Sequence, residues 1–281
     1  MRAGLKTRKR LGATGFYVAA ILLSALECFP FIYMILCSFQ PSDNIIFSIP
    51  PTMFPTTWRF ENYAEAVKQM EFFKALGNTC IMVVTSLTIN VIATVLIAYG
   101  FARFESKGKN ALFTLLLSTM MLPWVVTMVP AFVEYKFLNL LNTRWPLILP
   151  AIGGSAYYVF MIRQFIMGIP KDLDEAAAID GCGALRALFL ILLPNMKPVL
   201  ATMITFSFVG TWSDYLGPSI YLTNPDHYTL ALALKSLKNE YNGVEWKLTM
   251  AGSVLYTLPM LEIFLAAQKY FVEGLVVSSF K

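Results

Sequence analysis

Six apolar runs, each long enough to cross a bilayer, take up most of this 281-residue chain. A helix needs about 20 residues to span the hydrocarbon. The runs cover 11–39, 78–101, 111–132, 145–165, 199–222 and 248–272. Lipid offers no partner to backbone N–H and C=O groups, so such runs fold as helices that satisfy their own hydrogen bonds. Charged residues are 14% of the chain, where a soluble domain carries roughly 25%. The fold class expected is therefore all-α: a polytopic membrane protein with six transmembrane helices, 1–281 forming a single transmembrane domain.

Charge sets the expected orientation. Arg2, Lys6, Arg8, Lys9 and Arg10 precede the first run and form a basic leader over 1–10. The net charge of +5 could suggest nucleic acid, but cations packed against a span read as a cytoplasmic anchor under the positive-inside rule. With the N-terminus inside, about 14 of the 22 Lys and Arg fall on inner segments. An even number of spans then gives N-in, C-in, with 273–281 as a cytoplasmic tail. The first run is too long for a secretion signal, and Ser38-Phe39-Gln40-Pro41-Ser42-Asp43 lacks a small-residue cleavage pattern. It is expected to remain as an anchor. Two outer connections, about 41–75 and 222–247, read as caps of the outer mouth or contacts for an external partner, without a core of their own, with helical apolar spacing from Phe60 to Phe73 that suits the interface.

Between the fourth and fifth runs lies a cytoplasmic loop, 166–198, whose order is its most informative property. Pro170 suits the first turn of a helix, where its missing N–H has no partner. Asp172, Asp174 and Glu175 crowd that turn, where the dipole favours negative charge. Leu173 follows Asp172; Ala176, Ala177 and Ala178 favour helix, and Asp180-Gly181 supplies a left-handed C-terminal stop. The expected stub is roughly nine residues, or about 14 Å. Leu185, Leu188, Phe189 and Leu192 then recur as one apolar stripe, and Pro194 and Pro198 set the approach angle of the fifth span. A capped, stiff stub is a preorganised docking surface; the plainer alternative is a solvated hairpin joining two spans.

Other chemistry is sparse. No G-x-x-x-x-G-K-[ST] run exists, so the chain has no phosphate loop of its own. Gly181-Cys182-Gly183 lacks the preceding strand and later glycine of a dinucleotide loop and reads as helix punctuation. His227 is the only histidine, which excludes multi-histidine metal centres and His-based triads. Cys28, Cys37, Cys80 and Cys182 have no metal spacing and read as buried free thiols. No catalytic residue and no metal ligand is assigned. Glu27 and Glu262 fall inside apolar runs, where a carboxylate faces a bundle interior, a neighbouring helix or a partner's span. Trp212, Asp214 and Tyr215 place aromatic faces beside a carboxylate, which suits a sugar on a translocation path; the same aromatics suit an interfacial belt.

The loop also carries a resemblance. Glu175-Ala176-Ala177, Asp180-Gly181, Phe189 and Pro194 resemble the cytoplasmic motif of binding-protein-dependent ABC importer permeases. Met121-Leu122-Pro123, Leu141-Asn142-Thr143, Arg163-Gln164-Phe165, Gly210-Thr211-Trp212-Ser213-Asp214 and Gln268-Lys269-Tyr270-Phe271-Val272-Glu273-Gly274 resemble its maltose-type carbohydrate branch. Ser213 stands where that branch commonly has Asn, Cys182 where Ala is usual, and Glu273 where a basic residue is frequent. The resemblance implies a permease subunit, not an enzyme, set in a bacterial or archaeal inner membrane. It implies a homologous second permease subunit, two ATP-binding subunits that hold ATP and Mg, an extracytoplasmic solute-binding protein and a carbohydrate substrate; nucleic acid is not among the partners. Asp172, Leu173, Glu175, Ala176, Ala177, Asp180, Gly181, Pro194 and Pro198 would then couple the ATPase to the spans. Permeases for polyamine, phosphonate or glycerol-phosphate are alternatives within the family. An ion-coupled secondary transporter or an intramembrane carboxylate enzyme lies outside it.

Overall fold

The computed structural model describes the backbone of residues 2–46, 48–49, 52–239 and 243–278. Side chains are described from Thr14 onward, except at 44–45, 47, 50–51, 238–244, 267 and 269–281. The side chains of the basic leader and of the tail from Glu273 onward therefore lie outside the described residues. Among those described, the chain is helical apart from one short antiparallel ladder, Lys238–Asn239 against Gly243–Val244.

Four helical segments are long and apolar enough to cross a membrane: Thr14–Ser38, Phe72–Arg103, Trp145–Met167 and Trp246–Ala266. Two bent pairs raise the number to six if each pair is one span. The third expected run is broken, with Lys109–Met121 and Trp124–Phe137 meeting at 98°. Pro123 accounts for the break: Leu122 takes the extended backbone that a residue before proline prefers, with ψ 114°. A second bent pair, Ala184–Asn195 against Lys197–Trp212 at 84°, joins the end of the expected loop to the start of the fifth expected run. Pro198 sits in the first turn of the second piece, where its missing N–H costs no helical bond. That helix ends at Trp212, ten residues short of the expected Leu222, and a separate turn of helix covers Leu216–Tyr221.

Two compact units divide the chain. One comprises Met1–Phe72 with Leu234–Thr257. Within it, the buried Asn62 donates to Ser38 O at 2.8 Å and Gln40 O at 3.0 Å, pinning the Glu61–Gln69 helix to the end of the first long helix. Asp43 Oδ1 and Oδ2 accept from the Lys247 and Trp246 N–H groups, supplying negative charge at a helix N-terminus. The apolar spacing expected from Phe60 to Phe73 holds for Ala66 and Met70, which are buried, but Phe60 and Phe73 are exposed. The helix stops at Gln69, and Glu71 adopts φ +46°, which breaks the period before Phe73 is reached.

The other unit, Phe73–Ala233 with Leu258–Lys281, carries the loop. Its core joins Val95, Ala98, Tyr99 and Ala102 of the Phe72–Arg103 helix to Val159, Ile162 and Ile166, and to Leu188, Leu192, Met196, Val199 and Met203. The first set repeats at i, i+3, i+4 and i+7, one helical stripe. Hydrocarbon is as apolar as these side chains, so close packing holds the helices together within lipid, helped by the small Ala98 and Ala102. The connection expected to have no core of its own packs part of its length against the Phe72–Arg103 helix. Leu230, Ala231, Leu232 and Ala233 are all buried, and Thr79 Oγ1 accepts from Leu230 N–H at 2.7 Å.

The cysteines depart from expectation. Cys37 is buried, Cys182 is half-buried, and Cys28 and Cys80 are exposed. Glu27 and Glu262 are exposed too, and neither has a hydrogen-bond partner among the described residues. In both cases the helix face they occupy looks out of this chain.

Candidate functional site

The stub is a helix over Asp172–Ile179. Pro170 lies outside it: Lys171 is the capping residue, and its carbonyl accepts from Asp174 N–H at 2.8 Å and Glu175 N–H at 3.1 Å. Lys171 has helical backbone angles and offers no side-chain cap. Asp172, Asp174 and Glu175 therefore answer the orphan N–H dipoles through charge alone.

Its other end is closed by two crossed hydrogen bonds. Cys182 N–H donates to Ala177 O at 2.8 Å, and Gly181 N–H donates to Ala178 O at 3.1 Å. Gly181 lies at φ +76°, so this is a Schellman stop, and the left-handed position is one that L side chains adopt at a cost. The expected role of Asp180-Gly181 as a C-terminal stop is what the backbone adopts.

Burial divides the stub into two faces. Ala177 is buried and Asp174 half-buried on the side toward the bundle. Asp172, Leu173, Glu175, Ala176, Ala178, Ile179 and Asp180 are exposed, with Ile179 87% exposed. An isoleucine held out that far from its own chain is apolar surface awaiting cover. It was missed in the sequence because it follows the alanines as if continuing one buried face.

What fastens the stub was not legible in the loop itself. Arg103, the last residue of the Phe72–Arg103 helix, places Nε 2.8 Å from Asp174 Oδ2, with the two side chains 7% and 24% exposed. The approach is an ionic contact and not an aligned hydrogen bond, since neither atom has a hydrogen-bond partner. Arg103 Nη2 also donates to Ile169 O at 3.0 Å, just before the stub. Tyr99, one turn earlier, donates to Ala184 O at 3.1 Å, just after it. One helix end thus grips both sides of the stub. Arg163 adds a second tie, donating from Nε to Phe101 O at 3.1 Å while its guanidinium lies 4.2 Å from the Phe113 ring centre.

Beyond the stub the expected stripe splits. Leu188 and Leu192 are fully buried, whereas Leu185 and Phe189 are 59% and 56% exposed. Leu188–Leu192 is a π-helical turn, whose i→i+5 bonding widens the turn and breaks the 3.6-residue register. Residues four apart (Leu188, Leu192, Met196) keep to the core. Pro194 is exposed and Pro198 half-buried, flanking the buried Met196 at the 84° bend.

Two hollows adjoin the stub. One of about 280 Å³ is lined by Tyr99, Arg103, Lys171, Asp174, Glu175 and Cys182. The other, about 510 Å³, carries Arg103, Lys109, Arg163 and Lys171 against the single carboxylate of Glu105. Acidic residues thus mark the exposed stub, and cations mark the recess beside it.

The residues singled out for a translocation path differ in exposure. Trp212 is buried, stacked on Phe208 at 5.4 Å between ring centres, and Tyr215 is exposed. Asp214 lines a cavity in the company of Trp124, Tyr135 and Tyr221.

Several apolar helices long enough to cross a membrane, with an anchored helical stub after the Trp145–Met167 segment, define a class. The chain belongs to the family described as binding-protein-dependent transport system inner membrane components, whose model matches residues 90–276. That family is the membrane-spanning permease component and not the ATPase, and this chain is a multi-pass membrane protein. It is similar to AraQ, the arabinooligosaccharides transport system permease protein of Bacillus subtilis (strain 168). The two are 33% identical over 274 residues, covering 97% of this chain and 96% of that one. LacG, the lactose transport system permease protein of Rhizobium radiobacter, is 32% identical over 271 residues, covering 96% and 97%. Among solved structures, a chain of a bacterial ABC transporter involved in the import of the acidic polysaccharide alginate shares the fold, with TM-score 0.82. Identity there is 21%, over 93% of this chain and 97% of that one.

Proposed function

We propose that this chain is the membrane-spanning subunit of an ATP-driven importer for a carbohydrate (an oligosaccharide), and that residues 171–181 couple it to a separate ATPase. The observation that carries the reading is the stub itself: short, capped, acidic on its exposed face and tied by Arg103 to the end of a span, within the segment matched to the family. The sugar transport systems named for AraQ and LacG support the substrate class.

In this account the bundle crosses the membrane six times, each bent pair counting once, with both termini in the cytoplasm of a bacterial or archaeal cell. A homologous permease subunit completes the pore, and an extracytoplasmic binding protein delivers the solute. Two ATP-binding subunits hold ATP and Mg. Their closure pushes on the stub, and the push reaches the core along the Phe72–Arg103 helix. ATP supplies the free energy; this chain converts it into a shift between inward- and outward-facing populations. Glu27 and Glu262, exposed on this chain, fit contacts with the partner's spans better than an ion pathway within this one. That favours ATP coupling over ion coupling.

Co-purification in mild detergent, followed by reconstitution, tests the reading. Uptake of arabinotriose, galactotriose or lactose should require ATP and all partner subunits. Uptake by the isolated polypeptide, or uptake driven by an ion gradient without ATP, would overturn it.

A further inference from the structure

Two cavities of the 73–233 unit lie away from the stub and share a wall formed by Leu147 and Pro150. The deeper one, of about 210 Å³, is edged by Ser86, Asn90, Ser207 and Thr211. Ser86 and Asn90 sit near the middle of the Phe72–Arg103 helix, which places this cavity near mid-membrane. Ser207 is 8% exposed, and its hydroxyl has no hydrogen-bond partner. Ser86 donates to Met82 O at 2.8 Å, and Asn90 Oδ1 accepts from Thr94 at 2.9 Å. The Ser207 and Thr211 hydroxyls and the Asn90 NH2 are the groups left to face the space. Hydrocarbon would leave them unsatisfied, so the occupant must carry hydroxyls or be water.

The second cavity, about 340 Å³, lies toward the end of the bundle remote from the stub. Trp124, Tyr135 and Tyr221 supply aromatic faces and Asp214 a carboxylate. Tyr135 and Tyr221 meet edge to face at 5.4 Å. Gly217 N–H donates to Asp214 Oδ1 at 3.0 Å, and a Cβ on Gly217 would come within 2.5 Å of Asp214 Oδ2. The backbone N–H thus holds the carboxylate, and a side chain at Gly217 would displace it. No Lys or Arg lines either cavity.

We propose that these cavities are successive carbohydrate contacts carried by this chain itself, and that Asp214 restricts them to uncharged sugars. The C–H face of a sugar ring packs on the aromatics while its hydroxyls donate to Asp214. Deeper in, sugar hydroxyls pair with Ser207 and Asn90. A uronate would bring a second negative charge to Asp214 with no cation to offset either. This assignment rests on the carbohydrate-importer reading above and adds where in this subunit the sugar is held and which charge class is refused.

The test uses the detergent-solubilised importer with its permease and ATPase partners, the four native cysteines replaced by serine and Ser207→Cys introduced. Labelling by a cationic methanethiosulfonate reagent reports access to the deeper cavity. Saturating arabinotriose, galactotriose or lactose, whichever the wild-type importer takes up, should slow labelling about tenfold, and trigalacturonate should not. With Asp214→Asn added, trigalacturonate should gain the ability to protect. If uptake of an uncharged sugar proceeds but that sugar leaves labelling unchanged, the path runs elsewhere and this assignment fails while the importer reading stands. Protection by trigalacturonate with Asp214 intact would overturn the charge rule. Failure of every uncharged sugar to be taken up by the wild-type importer would overturn the carbohydrate reading, and this one with it.

Discussion

Arg103 and Asp174 meet at 2.8 Å where the Phe72–Arg103 helix ends and the stub begins, both largely shielded from solvent. A charge left alone at such a site is costly, on the order of 2 kcal/mol where shielding is partial. The pair therefore fixes the stub to one span and not to the loop as a whole.

Exchange of the two charges tests that fixation. Arg103→Asp and Asp174→Arg should each lower sugar-stimulated ATP hydrolysis by about tenfold, equivalent to roughly 1.4 kcal/mol of coupling. The double exchange should recover part of the loss, because the ionic contact is restored while the Arg103 bond to Ile169 O is not. Steady-state hydrolysis by the assembled complex, with and without sugar, gives the four corners of the cycle.

Gly181 offers a test that separates backbone from bulk. Its φ is +76°, yet nothing lies within 4 Å of a Cβ placed there. Asn tolerates the left-handed region and Val does not. Gly181→Asn should keep most sugar-stimulated hydrolysis, and Gly181→Val should abolish it while the complex still reaches the membrane. Equal loss in both variants would mean that the stub meets its partner through this position directly.

At the other end of the same unit, Asn78 ties three segments together. It accepts from Arg144 Nη2 at 2.6 Å and donates to Asp226 O at 2.8 Å and Tyr228 O at 3.1 Å. Asn78→Ala should release the 222–233 segment at a cost of about 1–3 kcal/mol for groups left unsatisfied. Faster protease cleavage between 222 and 230, with the stub intact, is the expected readout.

Asp226 also pairs with Lys74, whose hydrogen bond and charge hold the carboxyl below its ordinary value. A lowered carboxyl contributes stability that is fully present above its ordinary pKa of about 3.9 and is lost as pH falls through the lowered value. The pair is solvent-exposed, so its contribution is small and salt-sensitive. Protease protection of 222–233 should therefore stay flat from pH 8 to about 5. It should change with salt more than with pH in that range.

Much of this was readable from residue order because the causes are local. The stub is written in Asp172–Gly181, where charge at one end and a left-handed stop at the other need no tertiary partner. The spans are written in their length. What escaped has non-local causes. Arg103 closes an apolar run like any interfacial cation, and nothing in its neighbourhood names Asp174, 71 residues away, as its partner. Trp212 is near Asp214 in sequence, but nothing in that order names Phe208 as the ring its indole stacks on. The Leu185–Leu192 stripe failed because a π turn changes the period that the stripe assumes.

The central claim is that the exposed face of the stub is where an ATP-binding subunit bears on this bundle. A photoreactive amino acid at Glu175, activated in the assembled importer in native membranes, tests it most directly. The account expects an adduct with the ATP-binding subunit, whose yield changes when ATP is trapped. An adduct with the extracytoplasmic binding protein, or with lipid alone, would contradict it.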